Sequence, residues 1–270
     1  MLNVTRYGVS HPALKKWIKF FWYLETDTPV EVKHMLLPTD SIDVVMNLAS
    51  PIHYDLWGKL TKAGLCHFNG MRENAATIMQ SGCLQLYGIS FEPYGLYPFI
   101  KVPVNHFNNQ LVDLRCVSEP LTADIERAVC TAKSTGQTIR LLEEALMRHL
   151  DVNCKDFEAA QVLRSFQNWG SSVSMFCDQT AMDIKQLERL CQKYTGLNPR
   201  KLIRVARVQA ANRQIMRLQS VKALTTLAYD NNYFDQSHFI REFRTFMGLT
   251  PHQFRRDHMT VKDITKYSYQ

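Results

Sequence analysis

Two short stretches of the chain carry polar side chains of the kind that bind the edges of nucleic-acid bases. In the major groove of B-form DNA, which admits an α-helix, Arg binds guanine through two hydrogen bonds and Gln binds adenine in the same way. Helices that presented these side chains on one outer face could therefore read a base sequence. The residues are Lys185, Gln186 and Arg189 in the first stretch, and Gln236, Ser237 and Arg241 in the second.

The two stretches belong to an internal repeat. The segment Cys-Gln-Lys-Tyr-Thr-Gly-Leu-Asn-Pro at 191–199 returns 52 positions later, at 243–251, as Phe-Arg-Thr-Phe-Met-Gly-Leu-Thr-Pro. A sequence repeat indicates a repeated supersecondary unit. Each copy predicts a short helix, a tight turn and a second helix that ends at a glycine, which is the helix-turn-helix layout. The predicted helices are 173–179 and 183–194 in the first copy, and 224–230 and 235–247 in the second.

Hydrophobic spacing predicts which side of each second helix is buried. Apolar residues recur at steps of three and four, so they form one inward stripe. A basic, Gln-containing outer face is ordinarily just a solvated face. Here the two copies match, and a helix from 199 to about 218 would separate them by about 30 Å, close to the roughly 34 Å of one DNA turn. The predicted stripes are Leu187, Leu190, Cys191 and Tyr194, then Phe239, Phe243 and Phe246. The residues expected to contact phosphates are Lys193, Lys201, His238 and Arg244.

Charge and composition agree with a folded protein that binds a polyanion through one half. Residues 152–270 carry 18 Lys and Arg against 10 Asp and Glu, whereas residues 1–151 carry 14 against 15. The hydrophobic fraction of 46% excludes a disordered chain. No apolar run reaches the roughly 18 residues of a membrane span, and the first ten residues lack the layout of an export signal. The seven cysteines include no C-x-x-C pair, so we expect reduced thiols and a cytoplasmic protein without membrane contact.

The first part of the chain reads as strands, followed by a helical hairpin. Short apolar or alternating runs separated by Pro, Gly, Asn and Asp predict a compact barrel or sandwich. These runs are 33–38, 41–48, 64–68 and 84–91, and the segment from 11 to 21 predicts a helical turn that passes into a strand. Residues 119–150 predict a helical hairpin, which could pack on the strands, form a dimer face, or do both. The polar connector 151–156 predicts a domain boundary at 151/152, after which Asp156 would cap a helix that runs to Gln167.

The pattern Leu227-Ala228-(x4)-Tyr233-x-Asp235-Gln236-Ser237-His238-Phe239, continued by Gly248-Leu249-Thr250-Pro251, resembles the DNA-binding domain of AraC/XylS-type bacterial transcription regulators. The linker also fits, with Arg207 and Ala211 at the expected spacing. The first copy has Cys191 where the family usually has Phe, and Asn232-Tyr233 replaces the usual Gly-Phe. Asn tolerates the left-handed conformation that such a turn needs. More weakly, segments 38–48 and 88–95 resemble the cupin-like sensor domain of such regulators.

The resemblance implies a two-domain α+β fold. Residues 1–151 would form a cupin-like β-barrel with the helical hairpin at about 119–150, and residues 152–270 an all-α domain with two helix-turn-helix units. It implies a transcription regulator, usually an activator, whose partners are promoter DNA, RNA polymerase and a second copy in a homodimer. Lys185, Gln186 and Arg189 would read one major-groove segment, and Gln236, Ser237 and Arg241 the next.

Three readings of the first domain stay open. It could bind a small-molecule effector in a pocket, to which a nearby Arg72 or Glu73 would add charge, or it could serve only for dimerisation. A metal-binding cupin-like enzyme is a third reading, but His34, His53 and His67 are isolated, only Cys66-His67 is an adjacent pair, and no catalytic motif such as G-x-S-x-G is present. We therefore predict no enzyme activity, no metal and no cofactor. The aromatic residues that could line a pocket, and could equally be core, are Trp22, Tyr54, Trp57, Tyr87 and Phe91.

Overall fold

The computed structural model describes residues 3–36, 39–56, 58–72, 76–170, 172–215 and 224–260. In these residues an N-terminal β-sheet domain precedes a C-terminal helical domain, so the fold is α+β. The strands are β1 (Asn3–Tyr7), β2 (Ile18–Glu25), β3 (Val30–Leu36), β4 (Ile42–Asn47), β5 (Ile52–Leu56), β6 (Lys59–Lys62), β7 (Cys66–Asn69), β8 (Ala76–Gly82), β9 (Gln85–Phe91) and β10 (Leu111–Asp113). The helices are α1 (Tyr97–Ile100), α2 (Glu119–Thr131), α3 (Thr135–His149), α4 (Cys154–Trp169), α5 (Val173–Thr180), α6 (Ile184–Thr195), α7 (Pro199–Ile215), α8 (Leu224–Asp230), α9 (Gln236–Met247) and α10 (Pro251–Thr260).

The strands form two antiparallel sheets. The larger has the order β1-β2-β9-β4-β7-β10, and the smaller has the order β3-β8-β5-β6. The predicted turn before the second strand is confirmed, because a 3-10 turn at Leu14–Lys16 leads into β2. Five strands, β1, β5, β6, β8 and β10, fall outside the runs that the sequence pattern predicted.

The larger sheet is buried on both faces. Successive side chains of a strand point to opposite faces, and in β2 Phe21 joins the core under the helices while Trp22 joins the core between the sheets. The same division holds in β9, where Ile89 faces the helices and Leu86 faces the smaller sheet. The domain is therefore layered, with the smaller sheet, the larger sheet and the helices stacked in that order.

The described strands do not form the closed barrel that the sequence predicted. No strand of one sheet pairs with a strand of the other, so the larger sheet ends at β1 and β10 and the smaller at β3 and β6. The sandwich, which the strand pattern equally allowed, describes the domain instead. The physical reason is the second apolar face of the larger sheet, which needs a cover that a simple barrel would not supply.

That cover is the predicted helical hairpin. α2 and α3 occupy the predicted range, with a break at 132–134, and the Ser134 side chain caps α3 by accepting a hydrogen bond from the Gln137 amide. Leu121, Ile125, Leu142 and Leu146 are buried in the same core as Ile89. The hairpin therefore packs on the sheet, which is one of the two roles that the sequence left open.

The first helix of the C-terminal part begins earlier than predicted. Asn153, not Asp156, is the N-cap of α4, and Asp156 is the third helical residue. The two side chains cap each other's backbone amides, at 3.1 Å in each direction, which is the capping-box arrangement. The helix also runs on to Trp169, where Gly170 ends it in the left-handed conformation at φ 61°. Among the described residues, no helix is both long and apolar enough to cross a membrane.

Candidate nucleic-acid interface

The first helix-turn-helix unit consists of α5 and α6. Ala181 makes the turn in the left-handed conformation at φ 51°, and Asp183 then caps α6 by accepting hydrogen bonds from the amides of Lys185 (2.8 Å) and Gln186 (3.1 Å). Gly196 ends α6 with φ 80°. The predicted buried stripe is confirmed: Leu187, Cys191 and Tyr194 are buried, and Leu190 is partly buried.

The second unit, α8 and α9, repeats this construction with one difference. Asn232 takes the left-handed conformation at φ 58°, as predicted for the position where the resembled family has Gly. Asp235 caps α9 by accepting a 2.6 Å hydrogen bond from the His238 amide, and Gly248 ends it at φ 71°. The left-handed residue lies three positions before its N-cap here but two in the first unit, so the second turn is one residue longer. The predicted inward residues Phe239, Phe243 and Phe246 are all buried.

The residues predicted to read bases lie on the opposite sides of α6 and α9. Lys185, Gln186 and Arg189 are exposed on α6, and Ser237 and Arg241 are exposed on α9. Gln236 is partly buried, and its side-chain oxygen accepts a 2.8 Å hydrogen bond from the Thr225 hydroxyl. Both helices therefore present free polar side chains to a partner, while Gln236 would first have to leave Thr225. Their contact with bases stays a prediction.

The four residues predicted to contact phosphates have unlike surroundings. Arg244 is exposed on α9, and Lys201 is partly buried in the first turn of α7, where its amide donates to the Asn198 side chain. The His238 ring lies 3.5 Å from the Glu242 carboxylate. The Lys193 ammonium lies over the ring of Tyr97, at 4.5 Å from its centre, and near the ring of Tyr194. Lys193 thus lies at a contact between the two domains, which the sequence did not reveal.

A buried carboxylate joins α9 to the linker helix α7. Glu242 is 7% exposed, and it binds Arg207 at 3.2 Å and Arg204 at 3.4 Å. Arg207 also donates to the Asn232 carbonyl at 3.2 Å and lies over the Tyr233 ring. The sequence reasoning missed Glu242, although its position three residues after Phe239 and four before Phe246 places it on the inward stripe.

The end of α6 docks on the N-terminal domain. The Tyr194 hydroxyl donates a 2.6 Å hydrogen bond to Asp156 of α4. The other oxygen of Asp156 lies 3.2 Å from the ammonium of Lys101, which belongs to the N-terminal domain. Burial by itself raises the pKa of Asp156, but hydrogen bonds from Tyr194, the Asn153 backbone and Lys101 outweigh it, so the pKa lies below its usual value.

A backbone contact completes this docking. The Asn108 side-chain amide donates to the Gly196 carbonyl, and a Cβ atom added at Gly196 would lie 2.3 Å from the Asn108 side-chain oxygen. The last turn of α6 therefore lies directly against the segment that precedes β10.

A second junction lies where α7 meets the β domain. Asp40 binds Lys19 at 3.1 Å and Arg213 at 3.5 Å. Burial alone would raise the pKa of Asp40. The two cations lower this pKa by more than burial raises it, so the net shift is downward. Beside this junction is a cavity of about 490 Å³ between the β domain, α4, α7 and the turn of the second unit. Its charged lining residues are Lys19, Arg164, Arg207, Arg213, Asp40, Glu92 and Asp230.

The aromatic residues predicted to line an effector pocket lie in two different layers. Trp22 and Tyr54 are buried between the sheets, whereas Tyr87 and Phe91 are buried under the helices. They do not line one common cavity, because Tyr87 and Phe91 occupy alternate positions of β9 that face away from the smaller sheet. Trp57 lies outside the described residues.

The Cys66-His67 pair is built into the β domain as core. The His67 ring bonds the Tyr54 hydroxyl at 3.0 Å and the Gly64 carbonyl at 2.9 Å, and burial lowers its pKa to about 4. Burial also raises the pKa of the Cys66 thiol, which disfavours the thiolate that metals bind. Within the described ranges, no group of three His, Cys, Asp or Glu residues could hold a metal ion.

The pairing of two capped units agrees with the comparisons to known proteins. Residues 176–257, which include most of α5 and all of α6 to α9, match the family described as a helix-turn-helix domain. The C-terminal part of the chain therefore contains a helix-turn-helix domain. Residues 9–113 match a second family, described as a domain of unknown function, DUF6597.

The chain is also similar to individual transcriptional activators, in sequence and in structure. Over 88 residues the chain is 28% identical to the HTH-type transcriptional activator RhaS of Pectobacterium carotovorum subsp. carotovorum (strain PC1). That alignment spans 33% of this chain and only 29% of RhaS. Among solved structures, the chain is similar to ToxT from Vibrio cholerae O395, with a TM-score of 0.47 and 10% identity over 95% of this chain and 96% of ToxT. It is also similar to the AraC-like transcriptional activator CuxR, with a TM-score of 0.33 and 15% identity over 78% of this chain and 86% of CuxR.

Proposed function

We propose that the chain is a sequence-specific DNA-binding transcription regulator, with residues 152–270 as its DNA-binding domain and residues 1–151 as its regulatory domain. The observation that carries this proposal is the pair of capped helix-turn-helix units whose second helices expose Arg189 and Arg241 at equivalent positions. The α7 helix that joins them has 17 described residues, so it spans about 25 Å. That length suits two helices entering neighbouring turns of the same major groove.

The roles of individual residues follow from this placement. Lys185, Gln186 and Arg189 read one groove segment, and Gln236, Ser237 and Arg241 read the next. Arg244, Lys201 and His238 contact phosphates, and Lys193 does so after it leaves the Tyr97 ring. Promoter DNA is then the main partner, in the cytoplasm, and activation through contact with RNA polymerase is the expected outcome of binding.

Selection of bound duplexes from a random pool tests this function. The full-length protein should enrich a bipartite site whose two parts lie about 10 base pairs apart. An Arg189→Ala/Arg241→Ala double variant is the matched control, because both side chains are exposed and their loss should leave the fold intact. Failure of the wild-type protein to enrich any sequence, at low and moderate salt, would contradict the proposal.

The cavity beside Asp40 supports a second element, a small-molecule effector. It lies between the domains, and its lining of cations and carboxylates suits a small, polar, charged compound better than an apolar one. A compound bound there would contact both Arg213 on α7 and Lys19 on β2, so its binding would depend on how the domains are arranged. Thermal shift with charged metabolites tests this: stabilisation that Arg164→Ala removes supports an effector, and no stabilisation favours a domain that only dimerises.

We also propose that the β domain is of the cupin type and that it mediates dimerisation. Its two antiparallel sheets are compatible with the double-sheet jelly roll that cupins share. The exposed sides of α2 and α3 are the proposed dimer face. Sedimentation of the full-length protein tests this, since a monomer at all concentrations would exclude it.

A further inference from the structure

Apolar side chains stand at the start of both helices that we propose to read DNA. Six large hydrophobic residues of the described chain are strongly exposed, and four of these lie in the two helix-turn-helix units. Phe234 is the most exposed of them, at 85%, and Ile184 is 44% exposed. The other two are Met175 and Tyr229, which lie on the preceding helices α5 and α8.

Phe234 is held in this exposed position by a firmly bonded backbone. The residue before it, Tyr233, is buried and donates its amide to the Ala228 carbonyl at 2.9 Å. The residue after it, Asp235, is the N-cap of α9. Because both neighbours are fixed, Phe234 projects at the N-terminal end of α9, two residues before Gln236.

Ile184 has the comparable place in the first unit. It is the first residue of α6 and follows the N-cap Asp183, whose carboxylate is bonded to two backbone amides. The two apolar residues are not equivalent in the repeat, since Ile184 corresponds to Gln236 and Phe234 to Met182. Each unit thus has an exposed apolar side chain beside its polar outer face, at a different position of the repeat.

The chemistry of the major groove offers such side chains one apolar partner. The N-terminal residues of a helix inserted in the groove contact base edges. Those edges carry hydrogen-bonding groups except for the C5-methyl group of thymine. Neither Phe234 nor Ile184 has a polar side-chain atom, so contact with any other base edge would desolvate a polar group without replacing its hydrogen bond.

We propose that Phe234 and Ile184 are specificity-determining residues that select thymine, each by contact with its methyl group at one position of the site. The inference rests on the proposed DNA-binding function and adds a base preference to it. Arginine and glutamine on the same faces select guanine and adenine through hydrogen bonds. Phe234 and Ile184 add selection of thymine through apolar contact.

Replacement of single thymines by deoxyuridine tests the proposal, because it removes the methyl group and nothing else. The probe is the duplex that the full-length protein selects, with each thymine replaced in turn, and the readout is the dissociation constant from fluorescence anisotropy. For the wild-type protein, one replacement in each of the two parts of the DNA site should weaken binding by about fourfold. This is the affinity ratio that burial of one methyl group gives.

Two substitutions assign the sensitive positions. Phe234→Ala should bind thymine and deoxyuridine duplexes equally at the position facing α9, while keeping the discrimination at the position facing α6. Ile184→Ala should do the reverse. Tyr229→Ala is the matched control, since Tyr229 is exposed on α8 and should leave both discriminations unchanged.

The outcomes separate this inference from the function on which it rests. If no sequence is enriched, the function and the inference both fail. If a site is enriched but no deoxyuridine replacement weakens binding, or if Phe234→Ala keeps the discrimination at the α9 position, only the inference fails. Loss of transcription with unchanged DNA affinity in Phe234→Ala would assign this side chain to a protein partner and would also overturn the inference.

Discussion

The guanidinium of Arg207 lies 3.2 Å from the carboxylate of Glu242, and this contact joins the linker helix to the second helix of the second unit. Glu242 is buried, so its charge depends on Arg207 and Arg204 for compensation. The orientation of α9 on α7 therefore depends on an ion pair as well as on the phenylalanine core.

Substitution Arg207→Ala should lower the free energy of unfolding by about 2–4 kcal/mol, because it leaves a buried carboxylate with weaker pairing. Urea unfolding at neutral pH measures this. Arg200→Ala is the control, since Arg200 is exposed on the same helix and its loss should cost at most about 0.5 kcal/mol. Equal stability of the two variants would show that the pair has little influence in solution.

The two exposed arginines of α9 should differ in the way they affect DNA binding. Arg241→Ala should cost about 1–3 kcal/mol on the selected site and relax base preference at one position. Arg244→Ala, on the same helix, should weaken selected and random duplexes alike and reduce the salt dependence of binding. Anisotropy titrations at several salt concentrations distinguish them. Parallel losses in both variants would contradict this division between base and phosphate contacts.

Substitution Gly196→Ala should destabilise the docking of α6 on the N-terminal domain. Gly196 has φ 80°, which an Ala side chain adopts only with strain, and the added Cβ would meet the Asn108 side-chain oxygen. We expect the free energy of unfolding, measured with urea, to fall by about 1–3 kcal/mol.

The decrease in the free energy of unfolding caused by Gly196→Ala should be smaller in an Asn108→Ala background, because the side chain that the new Cβ would meet is absent there. Gly136→Ala is a useful comparison, because Gly136 lies in the first turn of α3 with no atom within 4 Å of an added Cβ. It should leave stability unchanged or raise it slightly. An equal cost of Gly196→Ala in both backgrounds would mean that Asn108 does not press on Gly196 in solution.

His67 should make the β domain sensitive to acid. Its pKa is about 4 in the folded protein and 6.5 without burial, so between these values the unfolded chain binds a proton that the folded chain does not. Stability then falls as the pH falls through this window, by about 2 kcal/mol from pH 7.5 to pH 5.

Unfolding of wild type and His67→Gln at the two pH values measures this contribution. The variant should be less stable at pH 7.5, because it loses the hydrogen bonds to Tyr54 and Gly64. The difference between the two proteins should then narrow by about 2 kcal/mol at pH 5. A difference that does not change with pH would show that His67 titrates alike in the folded and unfolded chains.

Local signals in the sequence were sufficient for the two helix-turn-helix units. Asp183 and Asp235 mark helix starts, Gly196 and Gly248 mark helix ends, and the apolar stripes lie between them. Each of these signals acts within one or two helical turns, so it can be recognised without knowledge of the fold. The exposure of Arg189 and Arg241 followed from the same periodicity.

The sequence determined the two repeated helical units, their inward and outward faces and the basic charge of the C-terminal half. Only the tertiary structure decided that the strands form two sheets, that Trp22 and Tyr87 lie in different layers, and that Lys193 lies against Tyr97. Strand pairing and domain docking join residues far apart in the chain, such as Asn108 and Gly196. Such contacts are selected by burial and shape in the folded state, and no local pattern of side chains encodes them.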